Sequence, residues 1–222
     1  MSPVVKLHAT DGHELDAYVA QPDSKPWGGL VVLQEIFGVN RHIRAVADRF
    51  AQEGFYTVAP ALFDRVERNV ELTDSADDRQ KGISIMQSLH LDDTLKDVDA
   101  ALRYATNAVA KPAGVVGYCW GGTLAWLSAS RLAPAAAVGY YGGQIPQYAL
   151  EDPRAPVILH FGKQDSHIPA VDVEKVKAAN PAVQIYWYDA GHAFNNDTRA
   201  SYNEKAAQEA MARTVTFLNR HL

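Results

Sequence analysis

The residues Gly117, Cys119 and Gly121 could place a reactive sulfur at a sharp turn of the backbone. The apolar run at 113–116 predicts a buried strand before the turn, and 123–129 predicts a helix after it. Such a turn is too tight for a Cβ two residues before or two residues after the nucleophile, which accounts for the glycines. The sulfur would lie at a helix N-terminus, where N–H groups and the helix dipole favour a thiolate. The pattern therefore predicts a cysteine nucleophile between a strand and a helix.

A thiol nucleophile needs a base, and the base needs an acid that orients it. Asp165 follows the apolar run 156–161, and His192 follows the apolar run 183–188. The carboxyl ends of parallel strands meet at one edge of a sheet, so we expect these side chains to converge with the sulfur. His192 would move the thiol proton, and Asp165 would fix the tautomer of its ring. The backbone N–H of Trp120 would be one donor to the oxyanion.

Strands that alternate with helices must position these residues. Residues 4–7 and 15–19 flank Asp11-Gly12, which predicts an N-terminal β-hairpin. Further strands are predicted at 29–34, 57–59, 114–118, 136–140, 156–161 and 183–188, and helices at 40–53, 77–89, 92–109, 170–179 and 201–220, with one more after the Cys119 turn.

Several of these strands are apolar on both faces, which is typical of a mostly parallel central sheet with helices on both faces. We therefore predict an α/β fold. Asp92 or Asp93 is expected to cap the helix at 92–109, and Gly54 is expected to end the helix at 40–53. Because no linker or repeat interrupts the chain, residues 1–222 are predicted to form one domain.

The composition of the chain limits the partners, the location and the cofactors that we expect for it. The formal net charge of −5 argues against nucleic acid or an anionic membrane as partner. No apolar run reaches the length of a membrane span, and no signal peptide is visible at the N-terminus. With a single cysteine these features predict a cytoplasmic protein, although a form with its leader removed is an alternative. Neither metal-ligand spacing nor a dinucleotide fingerprint is present, so we expect no metal and no cofactor. A monomer or small homo-oligomer acting on a small molecule is expected.

The whole chain resembles the dienelactone hydrolase family of α/β-hydrolases. The resemblance rests on the segments at 34–38 and 117–122 and on the surroundings of Asp165 and His192. It implies hydrolysis of an enol-lactone to a dicarboxylic acid, the carboxymethylenebutenolidase reaction. The chemistry would use a Cys-His-Asp triad with Cys119 as nucleophile and pass through a thioester acyl-enzyme.

The same resemblance assigns roles in the loop after the strand at 29–34. Glu35 would contact the nucleophile in the resting enzyme and help to generate the thiolate. A plain salt bridge from Glu35 to Arg41 or Arg44 is the alternative reading. The backbone N–H of Ile36 would be the second oxyanion donor, and Phe37 could wall an apolar pocket.

For the substrate carboxylate, the resemblance points to Arg79, and a solvated charge on a helix is the alternative interpretation of this residue. A second arginine of the family stands where this chain has Asn196, so an anion clamp is missing there. Arg199 could reach in from the same loop, and Tyr118 beside the nucleophile could line the pocket. The hydrolase chemistry therefore carries over better than the dienelactone substrate.

Three functions follow from these residues. The first is hydrolysis of lactones or small esters through a thioester. The second is esterase or acyltransfer chemistry on a different, neutral small ester, which the loss of the arginine at Asn196 keeps open. The third is a non-catalytic binding or redox module in which Cys119 is oxidised rather than acylated.

Overall fold

The computed structural model describes residues 4–222. Its strands form one sheet of eight in the order β1-β2-β4-β3-β5-β6-β7-β8. The strands are β1 (Val4–His8), β2 (Glu14–Ala20), β3 (Gly28–Leu33), β4 (Phe55–Pro60), β5 (Gly114–Tyr118), β6 (Ala137–Tyr140), β7 (Val157–Gly162) and β8 (Gln184–Tyr188). Each of these strands matches a predicted one to within two residues at either end.

The helices lie between the strands, as the alternating pattern predicts. They are α1 (Arg41–Gln52), α2 (Ala76–Ser88), α3 (Leu91–Val109), α4 (Trp120–Arg131), α5 (Ala170–Ala179) and α6 (Glu204–His221). Two short 3-10 turns, Leu62–Arg65 and Ile145–Tyr148, were not predicted, because single turns of this kind are too short for a periodic pattern.

Strand direction changes along the sheet. β1 pairs antiparallel with β2, and β2 pairs antiparallel with β4. The pairs β3–β4, β6–β7 and β7–β8 are parallel. Every residue of β3 and of β7 is buried, as expected for strands that are covered on both faces. The predicted α/β class is confirmed, and the antiparallel part is the N-terminal hairpin.

The chain divides into two compact units. The N-terminal unit comprises Met1–Val115 with Leu222, and the C-terminal unit comprises Val116–His221. The expectation of one domain over 1–222 stays a prediction. Within residues 4–222, none of the helices combines the length and the apolar character that crossing a bilayer would require.

In the N-terminal unit, α1 begins and ends as its sequence predicts. The Asn40 side chain accepts a hydrogen bond from the N–H of Ile43 at 3.2 Å and so caps the helix. Gly54 follows the helix with a φ of +97°, a conformation that glycine adopts without strain. Ile43, Val46 and Phe50 are buried on one face, and this apolar face holds the helix on the sheet.

The start of α3 differs from the prediction. The capping residue is His90, which makes no side-chain capping bond, so the prediction of Asp92 or Asp93 as cap is wrong. The helix begins one residue earlier than its apolar pattern suggests. Both aspartates therefore lie in its first turn, where their charge complements the helix dipole.

In the C-terminal unit, α4 and α6 are buried to different degrees. All residues of α4 from Trp120 to Ser130 are buried, so this stretch of the helix has no face exposed to solvent. By contrast, α6 buries only one face, which carries Ala206, Ala210, Thr214 and Leu218 at intervals of four residues.

Candidate active site

Cys119 occupies a strained turn between β5 and α4. Its φ of 54° and ψ of −115° are unusual for a residue with a side chain, and such conformations cost on the order of 1–3 kcal/mol. The N–H of Cys119 donates to the carbonyl oxygen of Tyr140 at 3.0 Å, which ties the turn to the end of β6. The side chain of Cys119 is partly exposed and carries a free thiol. The sequence prediction of a sharp strand-to-helix turn is correct.

Two glycines make this turn sterically possible. A Cβ on Gly117 would lie 1.9 Å from the carbonyl oxygen of Gly121, and a Cβ on Gly122 would lie 2.5 Å from that of Tyr140. Both obstacles are backbone atoms, which cannot move aside as a flexible side chain could. Any larger residue at either position would open the turn and displace Cys119.

The structure brings Cys119, His192 and Asp165 together. His192 Nε2 lies 3.3 Å from Cys119 Sγ, and His192 Nδ1 lies 2.7 Å from Asp165 Oδ2. Three loops supply these residues: the turn after β5, the loop after β7 and the loop after β8. A sulfur, an imidazole and a carboxylate linked in this order can transfer a proton away from the sulfur.

Asp165 is held by its own loop. Its Oδ1 accepts a hydrogen bond from the backbone N–H of His167 at 2.8 Å, an arrangement typical of an aspartate turn. The Asp165 side chain has no exposed surface, and that of His192 is 17% exposed. The carboxylate is therefore fixed on both oxygens, while the imidazole keeps access to a substrate.

The electrostatics of the pair favour charge on both groups. Burial alone would raise the pKa of Asp165, but the hydrogen bond and charge of His192 outweigh it and lower that pKa. Burial alone would lower the pKa of His192, yet the hydrogen bonds to Asp165 and Cys119 and the charges on both raise it to about 10. At neutral pH the ring is therefore an imidazolium between a carboxylate and a sulfur.

The rings of two residues next to His192 are not among the site residues predicted from the sequence. The ring of Tyr141 lies 5.2 Å from that of His192, and the ring of His167 lies 5.3 Å away at an interplanar angle of 82°. Tyr141 is buried, and its φ of 37° is a strained conformation for a residue with a side chain. The spacing Asp165-x-His167 was the available signal for the aspartate turn, since such turns bond two residues ahead.

Three of the predicted site residues belong to the N-terminal unit. Glu35 and Phe37 are 1% and 4% exposed, and Ile36 is partly exposed. The carbonyl oxygen of Phe37 accepts the N–H of Leu72 at 2.9 Å. A Cβ on Gly82 would lie 2.0 Å from the carbonyl oxygen of Ile36. The loop is therefore packed closely between the strand-like segment at Leu72 and helix α2.

The charged residues predicted around the substrate are held by fewer contacts than this loop. Arg79 is exposed, and its guanidinium donates to the carbonyl oxygen of Asp74 at 3.4 Å. Arg44, one alternative partner of Glu35, pairs with Glu71 and donates to the carbonyl oxygen of Val39.

In the C-terminal unit, Asn196 is 2% exposed and its Oδ1 accepts hydrogen bonds from the N–H and hydroxyl of Thr198. This side chain orders its own loop. Arg199 is partly exposed, and its N–H donates to the carbonyl oxygen of Asn196 at 3.1 Å. Tyr118 is 1% exposed and packs 4.7 Å from the ring of Tyr140. In the part of the chain that the structure describes, no group of His, Cys, Asp or Glu side chains could hold a metal ion.

The sheet order, the strained turn that carries Cys119 and the interleaved helices define an α/β-hydrolase. The profile of the dienelactone hydrolase family matches residues 15–222. The chain therefore belongs to the dienelactone hydrolase family.

Individual relatives agree with this assignment. The carboxymethylenebutenolidases of Pseudomonas putida and Pseudomonas knackmussii are each 34% identical to the chain over 224 residues, covering 96% of the chain and 94% of the relative. A solved Klebsiella pneumoniae protein, provisionally named a dienelactone hydrolase, superimposes with a TM-score of 0.85 at 30% identity and covers 100% of this chain and 99% of its own. The chain is a hydrolase that acts on ester or lactone bonds of small molecules.

Proposed function

We propose that this hydrolase opens a small lactone or carboxylic ester in two steps through a thioester on Cys119. In the first step, the Cys119 thiolate attacks the carbonyl carbon of the substrate. The tetrahedral intermediate then collapses, the bond to the alcohol oxygen breaks, and His192 gives that oxygen its proton. In a lactone the leaving oxygen stays attached to the acyl chain, so the acylated enzyme retains the whole substrate.

In the second step, water replaces the alcohol. The now neutral His192 takes a proton from water as the water attacks the thioester carbonyl carbon. Collapse of this intermediate breaks the carbon–sulfur bond, returns the thiolate and releases a carboxylic acid. The proton on His192 is retained for the next cycle, so the resting ion pair is restored.

The single observation that carries the proposal is the hydrogen-bonded line from Cys119 Sγ through His192 to Asp165. Asp165 holds Nδ1–H of the ring, so Nε2 faces the sulfur and can exchange a proton with it. The raised pKa of His192 means that the ring beside the sulfur carries a proton at neutral pH, which it can give to the leaving oxygen.

The oxyanion needs hydrogen-bond donors that point at it. Trp120 is the first residue of α4, so its N–H points out of the start of the helix rather than into the helical ladder. The family resemblance assigns the second donor to the N–H of Ile36 and the activation of the thiol to Glu35. Both roles are part of the proposal and rest on that resemblance.

An activated phenyl ester tests the proposal directly. We expect Cys119→Ala to abolish turnover of this ester by the full-length protein, and rapid quenching of the wild type to trap an acyl group on Cys119 in the mass spectrum. Lys163→Ala, an exposed change in the loop of Asp165, is the control and should turn over at the wild-type rate. Equal rates for wild type and Cys119→Ala would refute the proposal, and sulfur oxidation without acylation would favour the redox module.

The bonding of Asn196 favours a second candidate substrate class, neutral small esters. Its side-chain oxygen is engaged by Thr198, and this position presents no cation. A panel of matched esters and lactones with and without a carboxylate separates the two classes. A strong preference for the carboxylate supports the anionic lactone, whereas equal or better turnover of the neutral compounds supports the neutral ester.

A further inference from the structure

Five side chains, four of them buried and Arg213 partly exposed, form a hydrogen-bonded chain in the C-terminal unit, which we call the buried polar chain. The proposed reaction uses none of them. Tyr140 ends β6, His160 lies in β7 and Tyr188 ends β8, while Arg213 and Thr214 lie on α6. The bonds run from Arg213 Nη1 to Tyr188 Oη (3.1 Å), from there to His160 Nδ1 (2.8 Å), from His160 Nε2 to Thr214 Oγ1 (3.1 Å), and from there to Tyr140 Oη (2.7 Å).

Each bond of this buried polar chain has a possible donor and acceptor. A guanidinium can only donate, so the Tyr188 oxygen accepts from Arg213. A neutral His160 donates from one ring nitrogen and accepts at the other, and the hydroxyls of Tyr188 and Thr214 can complete either tautomer. The Thr214 hydroxyl also bonds the hydroxyl of Tyr140, and either oxygen can be the donor.

His160 is suited to a fixed role of this kind. It has no exposed surface, and burial together with the charge of Arg213 lowers its pKa to about 3. The ring is therefore neutral at neutral pH. A neutral buried ring with both nitrogens bonded orders its neighbours rather than taking part in acid–base chemistry.

The backbone of the same residues holds the candidate site. The carbonyl oxygen of Tyr140 accepts the N–H of Cys119 at 3.0 Å. The carbonyl oxygen of His160 accepts the N–H of Tyr141 at 2.8 Å, and the ring of Tyr141 packs against His192. Strand β6 therefore bonds the backbone of the nucleophile directly, and strand β7 reaches the imidazole through Tyr141.

Tyr188 completes the connection on the other side. Its carbonyl oxygen accepts the N–H of Lys163 at 2.8 Å and that of Ala190 at 2.9 Å. Lys163 is two residues before Asp165, and Ala190 is two residues before His192. The position of Tyr188 along its strand therefore affects both loops that supply the proton-transfer groups.

We infer that the buried polar chain is a positioning device for Cys119, His192 and Asp165, and that Thr214 is the positioning residue that joins its two halves. The Thr214 hydroxyl ties the end of β6, which holds Cys119, to the strands that lead to Asp165 and His192. This inference rests on the proposed function for its kinetic consequence. Its structural consequence, the geometry around His192, is independent of any substrate.

The pair Thr214→Val and Thr214→Ser tests the inference in the full-length protein. Valine keeps the shape of threonine and removes the hydroxyl, whereas serine keeps the hydroxyl and removes a methyl group. Small misplacements of reacting groups are costly, so we expect Thr214→Val to lower kcat on the activated ester about tenfold. KM should change by less than about twofold, since no substrate contact is removed. Thr214→Ser should retain most of the wild-type kcat.

A spectroscopic measurement separates positioning from general destabilisation. The proton between His192 Nδ1 and Asp165 Oδ2 should give a low-field NMR signal that shifts or broadens in Thr214→Val and stays in place in Thr214→Ser. Thr57→Val is the matched control, because Thr57 is a fully buried threonine whose hydroxyl bonds the carbonyl oxygens of Ala20 and Ala47 in the other unit. It should leave both kcat and the signal unchanged.

Two results would overturn the inference: a kcat and proton signal in Thr214→Val that match wild type, or an equal loss of kcat in Thr57→Val. If Thr214→Val does not fold, Tyr188→Phe removes the next hydroxyl of the buried polar chain and is judged by the same two measurements. If the wild type does not turn over the ester, the proposed function fails, and the proton signal alone decides the inference.

Discussion

The Cys119 turn of the C-terminal unit and the 34–40 loop of the N-terminal unit are built on different principles. At the Cys119 turn, the reacting side chains are bonded to one another, at 3.3 Å and 2.7 Å from the His192 ring, and the backbone that carries Cys119 is tied to the carbonyl of Tyr140. In the 34–40 loop, the backbone is held by its neighbours. Leu72 donates to the carbonyl of Phe37, Gly38 pairs with Glu71 as an isolated bridge, and Gly82 lets helix α2 approach the carbonyl of Ile36.

This difference indicates which amino-acid substitutions each region should tolerate. Around Cys119 the reacting groups are side chains, and the N–H of Trp120 is the one proposed backbone donor, so a substitution that keeps the shape and alters one proton should disable the site. In the 34–40 loop the proposed oxyanion donor is the N–H of Ile36, which every non-proline residue carries, and Glu35 is the one side chain with a proposed catalytic role. Besides Glu35, the sensitive positions there should be the glycines that set the path of the backbone, while exposed charges such as Arg79 should matter least.

The largest effect is expected for Asp165→Asn. The amide keeps the shape and can still accept from the N–H of His167, but its NH₂ group would face His192 Nδ1 and place the ring proton on Nε2, towards the sulfur. We expect kcat on the activated ester to fall by roughly 10⁴-fold, as for an acid of this kind in a Ser-His-Asp triad. NMR titration should show a lower pKa for His192, since the carboxylate that raises it is gone.

Asp189→Asn is the matched control for this change. Asp189 is exposed in the loop that leads to His192, and its carboxylate bonds only the side chain of Gln164 among the partners described. Its kcat should stay within about twofold of wild type, as for most surface substitutions. Similar rates for Asp165→Asn and Asp189→Asn would show that the carboxylate at 165 is not required.

An intermediate effect is expected for Gly82→Ala, which tests the 34–40 loop. The new Cβ would meet the carbonyl oxygen of Ile36 at 2.0 Å, a backbone atom, so α2 or the loop must move. We expect kcat to fall by about tenfold to a hundredfold and the free energy of unfolding to drop by about 1–3 kcal/mol. Steady-state kinetics and denaturant unfolding measure the two changes.

Ser84→Ala on the same helix is the control, because it separates the steric effect of the Cβ at position 82 from the effect that a new alanine has on the stability of the helix. Ser84 is exposed, and alanine is the better helix former, so both kcat and stability should be retained. A wild-type kcat in Gly82→Ala would contradict the role proposed for the N–H of Ile36, because the path of that backbone would then be unimportant for the reaction.

The fold and the Cys119 turn could be predicted from the sequence because local rules decide them. Continuous apolar runs specify buried parallel strands. The pattern singles out Gly117 and Gly121, and the structure shows that Gly117 and the next glycine, Gly122, are required by contacts of 1.9 Å and 2.5 Å with backbone. The order of Cys119, Asp165 and His192 along strands of one direction then limits where they can meet.

Other features depend on contacts that no local pattern reveals. His160 reads as an ordinary core histidine in its apolar strand, and only the structure shows that Tyr188 and Thr214 bond its two nitrogens. The close approach of Gly82 to Ile36 joins residues 46 positions apart, and a glycine inside a helix pattern gives no hint of its partner. The prediction of the α3 cap was wrong for a simpler reason, because the ends of a helix can be assigned only to within a residue or two.

The smallest effect is expected for Arg79→Gln, and it tests the recognition of a substrate carboxylate. The Arg79 guanidinium is exposed and bonded to a backbone carbonyl at 3.4 Å, so any contact with an anionic substrate would be hydrated. Exposed ion pairs contribute little, and we therefore expect kcat/KM for a carboxylate-bearing lactone to fall by less than about fivefold. The rate with a neutral ester of the same size should not change.

Arg103→Gln is the matched control for the loss of one positive charge, because Arg103 is an exposed arginine on α3 that pairs with Asp99. A fall of a hundredfold or more in Arg79→Gln alone would mean that Arg79 makes a desolvated, bidentate contact with the substrate. Recognition in the N-terminal unit would then depend on a side chain as strongly as the chemistry around Cys119 does, and the contrast between the two regions would not hold.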